Sequence, residues 1–408
     1  MRNWHLFLIP LFYQIFITIS QANHLDSISF FQAREIILQQ NSGIKSALLE
    51  IDAAQTVISQ AGVFPNPEVN IALDKFGVNE IEASVEQAIE LGGKRKLRTD
   101  IAHKKFDAVK SSVETAKNDL ESEIVRRFVP IAILREKLTL LDSLIDAATI
   151  AKEQIDIRIN AGAAKKTDLI RAEIELERFA LDRSEMIRQL DQAQKKFAVL
   201  GGEENDQFMY VKGSIDTSAP IPSIKSLQQA LLSSPQIASF DIERSLLSFE
   251  QKQHRAEAIP DLNISAGVLG SGTEKRFSPL IGFSMDIPLF DRNSAAQKQT
   301  IFQQQAVFLR KENTFKQIIA EIEDLHSRLI EIDRRINVLT SSTIPKSESV
   351  YSMLQEYYNA GKVSFLDLTA IRTEMLDLQL SHLDLIAERA LTIADLIQKT
   401  SLRVTIVK

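Results

Sequence analysis

The sequence predicts a mainly α protein with a small β part: two tandem repeats, each of long coiled-coil helices plus one β-hairpin. Three observations predict it. Anchor motifs recur in the same order in both halves. Short stretches of strict apolar–polar alternation follow the first helix of each half. Long glycine-free segments with heptad spacing fill the rest.

The repeat is read from spacing. Ile44 to Pro67 and Ile237 to Pro260 each span 23 positions (67 − 44 and 260 − 237). Pro67-Glu68-Val69-Asn70-Ile71 then matches Pro260-Asp261-Leu262-Asn263-Ile264 at an offset of 193. Ile89-Glu90-Leu91 matches Ile287-Pro288-Leu289 at 198, and Asn160-Ala161-Gly162 matches Asn359-Ala360-Gly361 at 199. The step from 193 to 198 puts a five-residue insertion between the strands of the second hairpin, where a loop tip tolerates one. The expected divisions are 1–22, a signal peptide; 23–200, the first repeat; 201–223, a linker; and 224–408, the second repeat. The linker carries Gly201-Gly202, Gly213, Pro220 and Pro222.

Arg2 gives a short basic start, Leu6 to Ile19 is mostly apolar, and Ser20-Gln21-Ala22 offers small residues for cleavage after Ala22. A membrane anchor is the other reading, weakened by Pro10 and Gln14. No later window approaches the length of an apolar spanning helix, so a membrane-embedded mature chain would have to use β-strands.

Each repeat should open with one helix, about Ser29 to Val63 and Ile224 to Ala258. Pro65, Pro67 and Pro260 stop them. Val69, Ile71 and Leu73 then share one strand face, as do Ala83, Val85, Gln87, Ile89 and Leu91. Glu82, Ser84, Glu86 and Glu90 lie opposite. In the second hairpin Leu262, Ile264, Ala266 and Val268, then Ile281, Phe283, Met285 and Ile287, repeat the pattern. Such a face fits lipid or a helical core equally well.

From Arg98 to Asn160 there is no glycine, and Pro130 is the one proline. A helix of that span would be roughly 95 Å long, beyond any compact soluble domain. Leu169, Ala172, Leu176, Phe179, Arg183, Met186, Leu190, Ala193, Phe197 and Leu200 form a heptad seam. Leu368, Ile371, Met375, Leu378, His382 and Leu385 form its counterpart. Antiparallel hairpins with tips at Gly162 and Gly361 follow. Pro130 should kink one long helix and Pro345 interrupt another.

With these residues in hand, the chain resembles outer-membrane efflux proteins of the TolC-like superfamily over its whole mature length. The resemblance rests on Pro65-Asn66-Pro67, on Glu90-Leu91-Gly92-Gly93-Lys94-Arg95, on Ile287-Pro288-Leu289-Phe290-Asp291-Arg292-Asn293, and on the Gly-to-Asp-Leu spacing at both tips. The hairpin-closing forms look most like the cobalt–zinc–cadmium exporter branch. The resemblance implies a homotrimer whose protomers each give four strands to a twelve-stranded outer-membrane barrel. Their helices would form a periplasmic tunnel that meets a periplasmic adaptor (membrane fusion protein) and an inner-membrane pump. The chain would then be a passive conduit at the outer membrane, its cargo including divalent heavy-metal cations. With no cysteine, it should not be acylated at its N-terminus.

The resemblance also gives candidate sites. Asp168 and Asp367 are candidates for a pore entrance, or simply acids favoured by the helix N-terminal dipole. A second acid one turn on is replaced by Arg171 and Ala370. Gly162, Lys165, Lys166, Gly361, Val363 and Ser364 are adaptor-contact candidates by position. Asp74, Glu82, Glu86, Glu90 and Asp286 would line the barrel lumen and favour cations. Other chemistry has little support. The six histidines form no helical i, i+4 pair, and no cysteine can serve as ligand or nucleophile. No phosphate loop or nucleophile elbow occurs, so neither a cofactor, a resident metal nor an enzyme is expected. A net charge of −6 argues against a nucleic-acid partner. A periplasmic adaptor and a coiled-coil scaffold are the rival readings. The first should show one hairpin within a β-rich chain; the second leaves the paired strands unexplained.

Overall fold

The computed structural model describes residues 28–74, 80–162, 164–202, 211–271, 276–402 and 406–408. The expected signal peptide, 1–22, lies outside the described residues.

Each repeat opens with two helices where one was expected. In the first, α1 (Phe30–Gln40) and α2 (Ser42–Ala61) meet at Asn41. Its side-chain oxygen accepts from the amides of Gly43 (2.9 Å) and Ile44 (3.2 Å), so the chain restarts as a new helix there. In the second, α5 (Ile224–Leu232) and α6 (Pro235–Glu257) meet at Ser234, which caps Ile237 while Pro235 occupies the first turn. Asn41 and Ser234 stand 193 positions apart, so the break belongs to the repeat.

The strands are β1 (Glu68–Asp74), β2 (Glu80–Ile89), β3 (Leu262–Ser271) and β4 (Arg276–Met285), in one antiparallel sheet of order β1-β2-β3-β4. The two hairpins, distant in sequence, are therefore joined edge to edge through β2 and β3. The second hairpin's extra residues lengthen β3, which runs to Ser271, past Gly267, the equivalent of Asp74.

From the sheet descend the long helices. α3 (Lys94–Asn160) is one helix of 67 residues, about 100 Å, continuing through Pro130. α4 (Lys166–Ala198) returns along it. In the second repeat α7 (Ser294–Val338) passes through a π turn, Leu339–Thr343, into α8 (Ile344–Asn359), and α9 (Phe365–Thr400) returns. Pro345 cannot donate the backbone bond that would continue α7, and the wider turn absorbs the loss.

The main core lies midway along the molecule. Phe30, Phe128 and Phe197 stack there, with ring centroids 4.7 and 6.2 Å apart, among Ile37, Ile124, Leu227, Leu231, Ile322 and Ile393. The stretch read as a linker is built into this core where it is described. Val211 is buried, and the chain from Lys212 to Asp216 exchanges backbone bonds with Ile28, Phe30, Ile406 and Lys408. Gly213 is pressed on Phe128; a Cβ there would lie 2.9 Å from its ring. Two smaller clusters hold the lower hairpins together: Leu141, Leu144, Ala148, Phe179 and Leu376, then Ile155, Ala172, Phe365 and Leu368 nearer the tips.

Candidate functional site

Residues directly opposite in an antiparallel sheet share a face, so the register sorts every strand residue. Val69, Ile71 and Leu73 sit opposite Val85, Ala83 and Ile81. Those in turn face Ala266, Val268 and Gly270, which face Ile281, Pro279 and Phe277. Apart from Gln87, which lies opposite Ile264 and donates to the Pro65 carbonyl (3.0 Å), this face is apolar and largely uncovered by the described residues: Ile71 is 70% exposed and Phe277 81%. The other face carries Glu68, Asn70, Glu82, Ser84, Glu86, Asn263, Ser265 and Ser284. Its acids are confined to the first hairpin. Gly267 lets the strands meet closely on this face, since a Cβ there would lie 2.4 Å from the Ala83 carbonyl oxygen.

The five lumen candidates do not form one group. Glu82 and Glu86 lie on the polar face. Asp74 pairs with Glu80 in the backbone register, its side chain lying outside the described residues. Asp286 is exposed just beyond the end of β4. Glu90 needs correction: it follows β2, and its carboxylate is held by the Arg98 guanidinium. Arg98 also donates to the Ala61 (3.2 Å) and Val63 (3.1 Å) carbonyls, tying α2 to the foot of the sheet, and the Glu90 partnership raises its pKa.

The residues around Glu90 form the joint between sheet and helices. Gly92 and Gly93 both have positive φ (68° and 73°), and Gly92 abuts Ile259. The Leu91 amide and the Lys94 ammonium both reach Asp261, at 2.9 and 2.8 Å. Arg95 lies 3.9 Å from the Phe64 ring centroid.

At the far end Gly162 and Gly361 turn the hairpins with φ of 71° and 70°. Asp367 is committed to a capping box with Ser364. It accepts from the Ser364 amide (3.0 Å) and hydroxyl (2.7 Å), which hold its carboxyl below the usual range. Asp168 lies in the first turn of α4, where no side chain caps the helix. Its charge, with burial the larger cause, helps raise the pKa of Tyr358. Arg158 from α3 stacks on the Tyr358 ring at 5.0 Å and donates to its carbonyl, linking the two hairpins. Lys165 and Lys166 are exposed and form no ion pair among the described residues, while Val363 is half-buried.

The profile of the family described as outer membrane efflux protein matches residues 33–203 and 226–400, one segment in each repeat. The chain belongs to this family. It is 24% identical over 361 residues to the cobalt-zinc-cadmium resistance protein CzcC of Cupriavidus metallidurans, covering 85% of this chain and 84% of that one. It is also 24% identical over 272 residues to the nickel and cobalt resistance protein CnrC of the same organism, covering 63% and 64%. Among solved structures, CusC superposes with a TM-score of 0.76 at 14% identity, covering 91% of this chain and 92% of that one. The outer membrane protein VceC of Vibrio cholerae gives 0.74 at 15%, covering 91% and 95%. Family and fold are those of channel proteins and not of enzymes.

Within this efflux-protein fold the sequence reading missed one buried pair. Arg372, 2% exposed, donates from a terminal guanidinium nitrogen to Glu175 Oε2 at 3.0 Å, Glu175 being 8% exposed. Their helices, α4 and α9, belong to different repeats. Of the expected α9 seam, Leu368 and Leu385 are buried, but between them Arg372 and Leu376 are the buried positions in place of Ile371 and Met375. An arginine in the seam broke the apolar pattern that would have revealed it. Burial raises the pKa of Glu175 against the pull of Arg372 and Arg178. The α4 seam is right in phase, and Arg183 turns outward from it to Asp142 at 2.6 Å. His382 is half-buried, and desolvation lowers its pKa. No group of three potential metal ligands occurs among the described residues.

Proposed function

We propose that the chain is the outer-membrane conduit of an export system for divalent heavy-metal cations, exported by a cleaved signal peptide and working as a homotrimer. Three four-stranded sheets would close a twelve-stranded barrel, with the helices forming a tunnel through the periplasm. The observation that carries the reading is the sheet: one mainly apolar face exposed to the surroundings, one mainly polar face, and, among the described residues, two unpaired edges. Four strands are too few to close a pore, so conduction requires assembly. The names of the metal-resistance relatives support the cargo. Glu68, Glu82 and Glu86, repeated around the ring, would favour cations in the lumen. Asp168, beside Tyr358 at the hairpin tips, would stand at the entrance, whereas Asp367 is engaged as a helix cap. Lys165 and Lys166 are exposed charges available to an adaptor, which would link the conduit to an inner-membrane pump.

The test is membrane fractionation followed by bilayer recording. A heat-modifiable oligomer in the outer membrane, forming cation-preferring channels, is expected. Glu68→Gln, Glu82→Gln and Glu86→Gln together should reduce that preference. A monomer in the soluble periplasm would refute the reading, as would channels whose ion preference ignores the triple replacement for the lumen assignment. Loss of cobalt, zinc or cadmium tolerance on gene deletion would identify the cargo.

A further inference from the structure

Helix α9 changes its buried face partway along. In its upper part Leu385, Arg389, Thr392 and Leu396 are buried. Two heptads earlier, 14 positions in each case (385 − 371, 389 − 375, 392 − 378, 396 − 382), stand Ile371, Met375, Leu378 and His382. These continue the same heptad into the lower part, yet all of them are only half-buried. The lower part buries Arg372 and Leu376 instead, one position after Ile371 and Met375 respectively. One position is about 100° around a helix, so lower α9 is turned roughly a quarter-turn from the heptad that its upper part follows.

The turn leaves polar atoms unpaired. Arg372 and Glu175, both almost wholly buried, share one hydrogen bond of 3.0 Å. Glu175 Oε1, Arg372 Nε and Gln379 Oε1 are buried without a partner among the described residues. Gln379 lies two turns beyond Arg372, on the same side of α9. Buried polar atoms are normally paired. A seam that carries these three beside an unused, mainly apolar alternative is therefore not selected by its own packing.

We infer that the Glu175–Arg372 pair is a latch that sets the rotational phase of lower α9. While Glu175 is present, α9 must offer it a cation. Turning back by one position would set Ile371 against the buried carboxylate, whose desolvation nothing would offset. Without Glu175 the same turn carries Arg372 out of the seam and lines it with Ile371, Met375 and Leu378. The adjoining cluster of Leu141, Leu144, Ala148 and Phe179 suits either phase: Leu376 belongs to it, and Met375 already packs against it. Exchanging leucine for methionine nearly conserves volume, a change that cores tolerate. Leu376 would then take the direction now held by Asp377, which is exposed. Leu368 and Leu385 belong to both seams and bound the segment that turns.

The chain has no cysteine, so a single introduced thiol reports the phase. Met375→Cys and Leu376→Cys are made separately in the full-length protein, and maleimide labelling is timed with and without Glu175→Leu. Glu175→Leu should speed labelling at Leu376→Cys by about tenfold or more and slow it at Met375→Cys. Leu368→Cys and Leu385→Cys, buried in both phases, should stay protected. Adding Arg372→Met makes the original seam apolar and should restore the original pattern. Anything short of opposite changes at Leu376→Cys and Met375→Cys overturns the latch. So does faster labelling at all four positions, which would mean a general loosening. A pattern that Arg372→Met fails to restore overturns it as well.

Discussion

Glu175→Ala tests how the lower hairpins are held together. It leaves Arg372, almost wholly buried, without its carboxylate. Removing one partner of a buried pair costs about 3–5 kcal/mol, because the remaining charge is uncompensated. The native pair is itself under-satisfied: one hydrogen bond joins it, and Glu175 Oε1 and Arg372 Nε have no partner among the described residues. Its net worth against an apolar pair is therefore small, and the combined change Glu175→Leu, Arg372→Met should equal or exceed the native stability by about 1–4 kcal/mol. Hydrogen exchange of α4 and α9 amides near these positions reads the local effect without requiring two-state unfolding. A loss of 3 kcal/mol corresponds to about 150-fold faster exchange through opening. If Glu175→Ala changes protection less than about fivefold, roughly 1 kcal/mol, Arg372 reaches water and the argument from burial is wrong. If the apolar pair is also strongly destabilised, the ion pair contributes more than its geometry implies.

Gly92→Ala forces a side chain into positive φ with its Cβ 2.8 Å from Ile259 Cδ1, and should destabilise the sheet-to-helix joint by about 1–3 kcal/mol, seen in thermal melting. Ser364→Ala removes the α9 cap and should cost about 1 kcal/mol, read as faster proteolysis at the second tip; Ser364→Asp should largely retain protection. Phe128→Ala empties the centre of the main core and should cost about 3–5 kcal/mol in denaturant titrations. Asp216 is held down to about 2, first by Lys408, then by Ser218. Its folded pKa lies below the unfolded one, so its tie is fully present above the ordinary carboxylate range and is lost as pH falls toward 2. Asp216→Asn should abolish that part of the acid sensitivity in exchange of the amides around Lys212 to Asp216.

The parts of the fold that were legible in the sequence are those fixed by period and breaker. Val69, Ile71 and Leu73 declared a strand face because alternate side chains of a strand meet the same surroundings, and Gly162 and Gly361 declared tips because the backbone needs positive φ there. The parts that were not legible depend on what a side chain meets at a distance. Asn41 and Ser234 look like ordinary polar residues of a helix, yet each bonds the next helix's free amides and splits it. Glu90 continues the strand's polar alternation, but Arg98, eight residues later on α3, claims it. Arg372 breaks an apolar seam in sequence while occupying it in space, because its partner is 197 residues away. The segment around Gly213 has the composition of a linker and is held by aromatic rings from elsewhere in the chain. For the site, the polar strand face could be read from Glu82 and Glu86 alone. The engagement of Asp367 by Ser364 could have been found from the capping-box spacing.

The duplicated halves differ mechanically. α3 runs as one helix, through Pro130, from the foot of the sheet to the tip, so Gly162 is joined to the Glu90–Arg98 anchor by a single element. Its counterpart is divided into α7 and α8 by the π turn before Pro345, and a twist applied at Gly361 is partly taken up at that joint. One ancestral unit has thus become a strut and a jointed arm. The first tip is thus tied to the sheet by one continuous helix, and the second through a joint.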